Sequence, residues 1–344
     1  VNNAQQDIRQ QQLGTWLSTT LQHSEFELTT ASADASFRRY FRVHLADGKT
    51  LIAMDAPPSH ENCEPFIRIA KLFGDAGMHV PEVIAQDLRQ GFLLLSDLGD
   101  VTYLSQLNQQ TASALYHDAN MALVKLQLAS KPNVLPNYDA ALLTREMQLF
   151  PDWYIAKHLN VTLDEKQQSV LHKTFELLNQ NILSQGQVYV HRDYHSRNLM
   201  VIAANNPGVL DFQDAVYGAI TYDLVSLLKD AYISWEEEQV IDWLVRYWQV
   251  ARKAGLPVPE DFSEFYRDFE YMGAQRHIKV LGIFARLYHR DGKAGYLKDM
   301  PLVMEYLCKV CDRYVELRPM LRLLDALNGQ DKHPDANYKS LLKL

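Results

Sequence analysis

Between Val188 and Phe212 short apolar runs alternate with polar loops. Val188-Tyr189-Val190 leads into His191-Arg192-Asp193-Tyr194-His195-Ser196-Arg197-Asn198, Leu199-Met200-Val201-Ile202 follows, and Gly208-Val209-Leu210 ends in Asp211-Phe212. Runs this short, rich in Val, Leu, Ile and Tyr, read as strands, and the polar residues then sit at strand ends, where loops present side chains. On both sides the periodicity is helical, over 111–128, 139–159 and 163–183, then from Ile220 to about Leu327 with breaks at Pro257 and Gly292. A β-rich island in a helical stretch, with its polar residues at strand ends, leaves few architectures open.

The first quarter alternates with period two. Phe26-Glu27-Leu28-Thr29 precedes the small, polar run Ala31-Ser32-Ala33-Asp34-Ala35-Ser36, and 37–44 is rich in aromatic and long side chains. Asp47-Gly48 is a hairpin turn signal, and 50–54 supplies the returning strand. Phe66, Ile69, Ala70 and Phe73 then share one face of a helix over about 62–76, with Gly77 placed as its C-cap and Pro81 blocking continuation. Residues 83–86 and 91–95 add two strands. The expectation is an α+β chain of two lobes, a small β-rich lobe over 1–97 and a larger, mainly helical one over 98–344.

The 344 residues are 47% hydrophobic and 22% charged, the balance of a soluble chain able to bury a core without disulfides. A net charge of −8 argues against a nucleic-acid partner, which calls for a basic patch. No run approaches the ~20 apolar residues of a spanning helix, so no membrane partner is expected, and no obligate protein partner is evident. Cys63, Cys308 and Cys311 are sparse, and the last two read as thiols packed along the helical run 303–317. Sparse cysteines and a start without a secretory pattern suggest a reducing, cytoplasmic compartment.

Phosphoryl transfer to a hydroxyl asks little covalent chemistry of a protein. It needs a carboxylate to orient the hydroxyl and take its proton, and oxygen ligands for Mg²⁺ on the phosphates. Asp193 can be the carboxylate, and Asn198 and Asp211 the ligands. Asp193-x-x-x-x-Asn198 has the spacing of the kinase loop H-R-D-x-x-x-x-N. Any one of these residues alone is a common loop or capping residue. The specificity lies in the spacing, set between two apolar strands and followed by a third ending in Asp-Phe.

On these residues the chain resembles the aminoglycoside phosphotransferase and choline kinase group, the small-molecule branch of the protein-kinase-like fold, over nearly its whole length. The resemblance implies a kinase dependent on ATP and Mg²⁺, with Asp193 as catalytic base, Asn198 and Asp211 as metal ligands, and His191 supporting the loop. Asp223 matches the group's aspartate that follows the metal loop; it also reads as the N-cap of a helix over 224–232, and the two roles are compatible. By the same analogy adenine lies against the backbone of Ser96, Asp97 and Leu98. Two features depart from the pattern. No G-x-G-x-x-G is present, and small residues ending in Ser36, a candidate partner for a phosphate oxygen, take its place. Met54 stands where a third-strand lysine belongs, so Arg38 or Arg42, on one face of the second strand by period-two spacing, would supply the cation. Both also read as solvent-facing arginines on an edge.

Within that group, the stretches 35–42, 211–218 and 273–287 look like the bacterial anomeric kinases of cell-wall recycling, which phosphorylate the 1-hydroxyl of N-acetylmuramic acid and N-acetylglucosamine. That implies a small-molecule amino sugar as acceptor. An anomeric hydroxyl is more acidic than an ordinary alcohol, so a carboxylate base suffices. Arg276 or His277 is the candidate for the lactyl carboxylate, and Gln213 and Asp214 for sugar hydroxyls. Against this, Arg276 and Lys279 at i,i+3 also read as a solvated helix face, and Gln275 and His277 as packing residues. Two other classes stay open. One is a kinase of another small acceptor (an aminoglycoside, choline or homoserine), for which Glu236-Glu237-Glu238 supplies acid but reads better as the first turn of a helix. The other is a nucleotide-binding pseudokinase, suggested by the missing lysine and glycines and opposed by the intact Asp193, Asn198 and Asp211.

Overall fold

The computed structural model describes residues 3–22, 25–33 and 37–327. The period-two and helical regions of the sequence sort into two compact units. The first runs to Gln106 and takes in Asn198–Asp214; the second holds Leu107–Arg197 and resumes at Ala215. The sequence suggests a division after residue 97, whereas the contacts keep 98–106 and 198–214 with the sheet.

In the first unit five antiparallel strands, β1 (Phe26–Ala33), β2 (Arg39–Leu45), β3 (Thr50–Asp55), β4 (Val83–Asp87) and β5 (Phe92–Ser96), lie in the order β1-β2-β3-β5-β4. Asp47 and Gly48 make the β2–β3 turn, with Gly48 at a φ of 83° that suits glycine. Helix α1 (Asn3–Leu21) covers one face, where Leu13 and Leu17 join Phe41, Val43, Ala53, Phe92 and Leu94 in a core. The sequence reading leaves this helix out, although Leu13, Trp16, Leu17 and Leu21 fall on one helical face. Helix α2 (Glu64–Asp75) buries Phe66, Ile69, Ala70 and Phe73, the face its spacing predicts. A short α3 (Tyr103–Gln106) follows.

The second unit is helical: α4 (Ala112–Leu128), α5 (Ala140–Met147), α6 (Glu165–Ser184), α7 (Tyr222–Leu228), α8 (Glu237–Lys253), α9 (Phe262–Asp291), α10 (Met300–Arg313) and α11 (Arg318–Leu327). It also carries an antiparallel pair, β6 (Gln187–Val190) with β9 (Val216–Ala219). The β9 strand is absent from the sequence reading. Helix α9 is the axis of this unit, packed by α5, α6, α7, α8 and α10. It ends at Gly292 with φ 68°, the break foreseen there. The helix expected over 139–159 is instead α5 followed by a wider π-helical stretch, Phe150–His158, because Pro151 has no amide to continue an α-helical ladder. Gly282 lets α9 lie against that connection, since a Cβ there would stand 2.4 Å from the Leu149 carbonyl carbon. Glu237 and Glu238 form the first turn of α8, as their charge suggests. All three cysteines are free, with Cys311 buried in α10. Among the described residues no helix is long and apolar enough to cross a membrane.

Candidate active site

Strand β6 delivers the chain, buried, to His191. The Asp223 carboxylate on α7 then fixes the loop's backbone, its two oxygens accepting the amides of His191 at 2.7 Å and Arg192 at 3.0 Å. That corrects the N-cap reading of Asp223. It lies inside α7, behind Thr221, and its oxygens go to the loop rather than to the helix start. The Asp193 amide donates to His191 Nδ1 at 3.2 Å, which makes that nitrogen an acceptor and leaves the ring proton on Nε2. Arg192 sits at φ 80°, a left-handed backbone rare for such a side chain. Beyond it, Ser196 donates its amide to Asp230 Oδ2 at 3.0 Å, and its hydroxyl bonds the same oxygen.

Beside the loop, Arg276 and Lys279 project from α9. Side chains this deeply buried, 7% and 5% exposed, do not form the solvated face that i,i+3 spacing also allows. Lys279 Nζ lies 3.1 Å from Glu146 Oε1 and donates to the Tyr222 hydroxyl at 2.9 Å. Arg276 Nη1 donates to the same hydroxyl and to the Arg192 carbonyl, each at 3.3 Å. Glu146, from α5, also pairs with the Arg192 guanidinium and the Tyr138 hydroxyl. Burial by itself would raise the Asp193 pKa, but Lys279, then Arg276, His195 and His191 outweigh it and hold the carboxyl below its usual value. Glu146 is treated alike, burial being outweighed by Lys279 and Arg192. Asp193 is therefore a carboxylate at neutral pH, the form that accepts a proton.

His277, 2% exposed, stacks on Tyr306 with centroids 5.1 Å apart and turns Nε2 to the Lys229 carbonyl at 3.4 Å. Burial drives its pKa well down and keeps it neutral. Gln275 is fully buried. His195 meets the Tyr232 ring edge-on at 5.4 Å, and Arg197 lies over the same ring at 3.5 Å.

Asn198 and Asp211 belong to the first unit. Strand β7 (Leu199–Met200) pairs with β8 (Gly208–Val209), and Leu210 donates to the Asn198 carbonyl at 2.9 Å. Val201 donates to Val101 at 2.7 Å and Val209 to His79 at 2.8 Å, while Phe212 packs on Phe66 and Phe73 of α2. Asn198 Nδ2 lies 3.5 Å from Asp211 Oδ2, and Gln213 Nε2 donates to Asp211 Oδ1 at 2.7 Å. Asp211 takes a left-handed backbone, φ 62°. A carboxylate beside an amide side chain is an all-oxygen donor set, and it fits Mg²⁺, which takes one or two carboxylates and completes its shell with phosphates and water. No group of three or more His, Cys, Asp or Glu side chains able to hold a metal exists among the described residues. Asp214 is exposed.

The remaining candidates lie near the sheet. Arg42 Nε pairs with Asp97 Oδ2 at 2.6 Å and Nη2 reaches the Gly99 carbonyl at 2.9 Å; Arg38 Nε pairs with Glu61 Oε2 at 3.1 Å. Neither is a bare edge arginine. Met54 is fully buried, Ser96 at the end of β5 exchanges two hydrogen bonds with the Glu82 backbone, and Leu98 packs against Gly208. Ser36 lies outside the described residues. Sequence reasoning missed Glu146, Tyr138 and Asp230. Glu146 left a signal: it shares an inward face with Leu143 and Met147.

A family model described as phosphotransferase enzyme family matches residues 27–264. The chain is 49% identical to the N-acetylmuramate/N-acetylglucosamine kinase of Neisseria meningitidis serogroup B, over 94% of this chain and 97% of that one. To the protein of that name from Pseudomonas aeruginosa it is 48% identical, over 93% and 97%. Among solved structures it is similar to a choline kinase of Streptococcus pneumoniae (TM-score 0.61, 12% identity, 90% of this chain and 100% of that one). An ADP-bound aminoglycoside phosphotransferase matches with TM-score 0.56 and 14% identity, over 87% and 98%. These likenesses give the protein-kinase-like fold, a small antiparallel sheet lobe with a larger helical lobe, as the sequence leads one to expect.

Proposed function

Since the chain belongs to the phosphotransferase enzyme family, we propose that it is an ATP-dependent kinase that phosphorylates the anomeric hydroxyl of N-acetylmuramic acid and N-acetylglucosamine, in the cytoplasm, as part of cell-wall recycling. The observation that carries the chemistry is the partly buried Asp193 carboxylate, kept ionised by Lys279 and Arg276. The acceptor reading rests on the two curated relatives, alike over almost the whole chain.

Asp193 accepts a hydrogen bond from the acceptor's 1-hydroxyl, orients its oxygen and takes its proton as that oxygen bonds to the γ-phosphorus of ATP and the bond from that phosphorus to ADP breaks. Asp223 and Arg276 hold the loop that aims it. Asn198 and Asp211 would hold Mg²⁺, which neutralises charge on the phosphates of ATP, and Gln213 orients Asp211. Ser36, Arg38 and Arg42 are the candidates for the ATP phosphates, and Ser96, Asp97 and Leu98 for adenine. Gln213 and Asp214 are the candidates for sugar hydroxyls. Arg276 and His277, the sequence candidates for the lactyl carboxylate, are 7% and 2% exposed.

The test is ATP consumption with N-acetylmuramic acid, N-acetylglucosamine, glucose, choline, homoserine and kanamycin, with phosphorus NMR of each product. A sugar 1-phosphate from the two N-acetylated sugars is expected, and Asp193→Ala should slow its formation by roughly 10²–10⁴-fold while ATP still binds. Turnover with choline or kanamycin alone would overturn the acceptor, and undiminished turnover by Asp193→Ala would overturn the base.

A further inference from the structure

We propose that Arg197 reads the carboxylate of the acceptor and thereby sets the preference between the two amino sugars. This rests on the acceptor class proposed above. N-acetylmuramic acid is N-acetylglucosamine with a lactyl ether on the 3-oxygen, so a carboxylate is the only charge that separates the two substrates. A site that tells them apart by charge needs a cation with donors to spare.

The α9 cations beside the loop are otherwise engaged. Arg276, 7% exposed, gives Nη1 to the Arg192 carbonyl and Tyr222, Lys279 bonds Glu146 and Tyr222, and His277 is neutral and packed on Tyr306. Arg197 differs in each respect. Its side chain is 38% exposed. Its guanidinium carbon lies over Tyr232, 3.5 Å from the ring centroid, with the Tyr296 centroid at 5.9 Å. Stacking engages the face of a guanidinium and leaves its edge, where the N–H donors lie, to grip a carboxylate with two parallel bonds. The carboxylate already nearby, Asp299, stands with Oδ2 at 4.0 Å, beyond hydrogen-bond reach, and that oxygen takes no other hydrogen bond. The fork is steered but not closed.

Position supports the assignment. On Tyr232 the Arg197 guanidinium and the His195 ring are neighbours, and His195 is two residues from Asp193. A hexose with its 1-hydroxyl on Asp193 carries its 3-oxygen substituent only two ring carbons away, a short enough span for a cation on the neighbouring aromatic ring to meet the lactyl carboxylate. Asp299 explains how the uncharged sugar is accepted as well: when no acceptor carboxylate is present, Arg197 keeps a counter-ion at 4.0 Å.

The experiment compares kcat and KM for both sugars and for ATP in the wild type, Arg197→Gln and Arg197→Lys. In Arg197→Gln the KM for N-acetylmuramic acid should rise about 10- to 100-fold, the scale of a lost charged hydrogen bond. N-acetylglucosamine and ATP should stay within about threefold, which also shows that the variant folds. Arg197→Lys, with charge but no fork, should fall between. Equal losses on both sugars, or a matching rise in the KM for ATP, would mean a structural role and overturn the assignment, as would no change on either sugar. A wild type that phosphorylates neither sugar would instead overturn the acceptor reading, and this inference with it.

Discussion

Lys279 is not itself the proposed base, yet its charge is the largest influence holding the Asp193 carboxyl below its usual value against burial. In Lys279→Met that opposition weakens, and the Asp193 pKa moves up. The protonated, inactive form then persists to higher pH, so the acid limb of the kcat/KM profile should shift upward and activity at pH 5 should fall more than at pH 8. A profile of unchanged shape and lower height would show that Lys279 merely packs. Asp193, Asn198 and Asp211 are legible in the sequence because their spacing survives any detail of conformation. The backbone they need is not legible. Arg192 and Asp211 take left-handed conformations that sequence reasoning reserves for glycine or asparagine. For Arg192 the cause lies far along the chain, in the Asp223 carboxylate and the Arg276 guanidinium.

Helix α9 shows why elements are harder to read than motifs. Gln275, Arg276, His277 and Lys279 look like a polar face, but helices on several sides leave no solvent for one, and all four are buried. Two of its glycines should respond in opposite directions. At Gly282 an added Cβ meets Leu149 backbone atoms at 2.4 and 2.6 Å, so Gly282→Ala should destabilise by about 1–3 kcal/mol. At Gly273 the nearest atom is 3.7 Å away, so Gly273→Ala should be neutral or stabilise by up to about 1 kcal/mol through helix propensity. Thermal unfolding of both variants checks this, and a Gly282→Ala protein as stable as the parent would contradict the close approach. The β1–β5 sheet was legible through alternation and the Asp47-Gly48 turn. The β9 strand was not, because four residues of Val-Tyr-Gly-Ala carry no pattern until β6 lies beside them.

At the scale of the molecule, the chain leaves the second unit after Arg197, runs through the first as Asn198–Asp214, and returns at Ala215. Length and periodicity reveal two lobes; they do not reveal that excursion, which depends on Phe212 packing with Phe66 and Phe73. A metal-dependent nucleotide should therefore stabilise the unit that carries Asn198 and Asp211, by about 2.7 kcal/mol at a hundred times its Kd. Calorimetry with a non-hydrolysable ATP analogue should show that shift with Mg²⁺ and lose it with a chelator or in Asp211→Asn; a shift indifferent to both would exclude Asp211 as a ligand. The long-range pairing of Glu146 with Arg192 and Lys279 also sets an order in time. A ribosome adding roughly 5–20 residues per second releases Asp193, Asn198 and Asp211 well before α9. The nascent chain thus spells the complete kinase signature while Arg276 and Lys279, the two leading charges that hold the Asp193 carboxyl down, do not yet exist. The motif is complete before its electrostatic setting is, so a chain truncated before α9, by nonsense mutation or stalled translation, carries the signature without the two cations beside it.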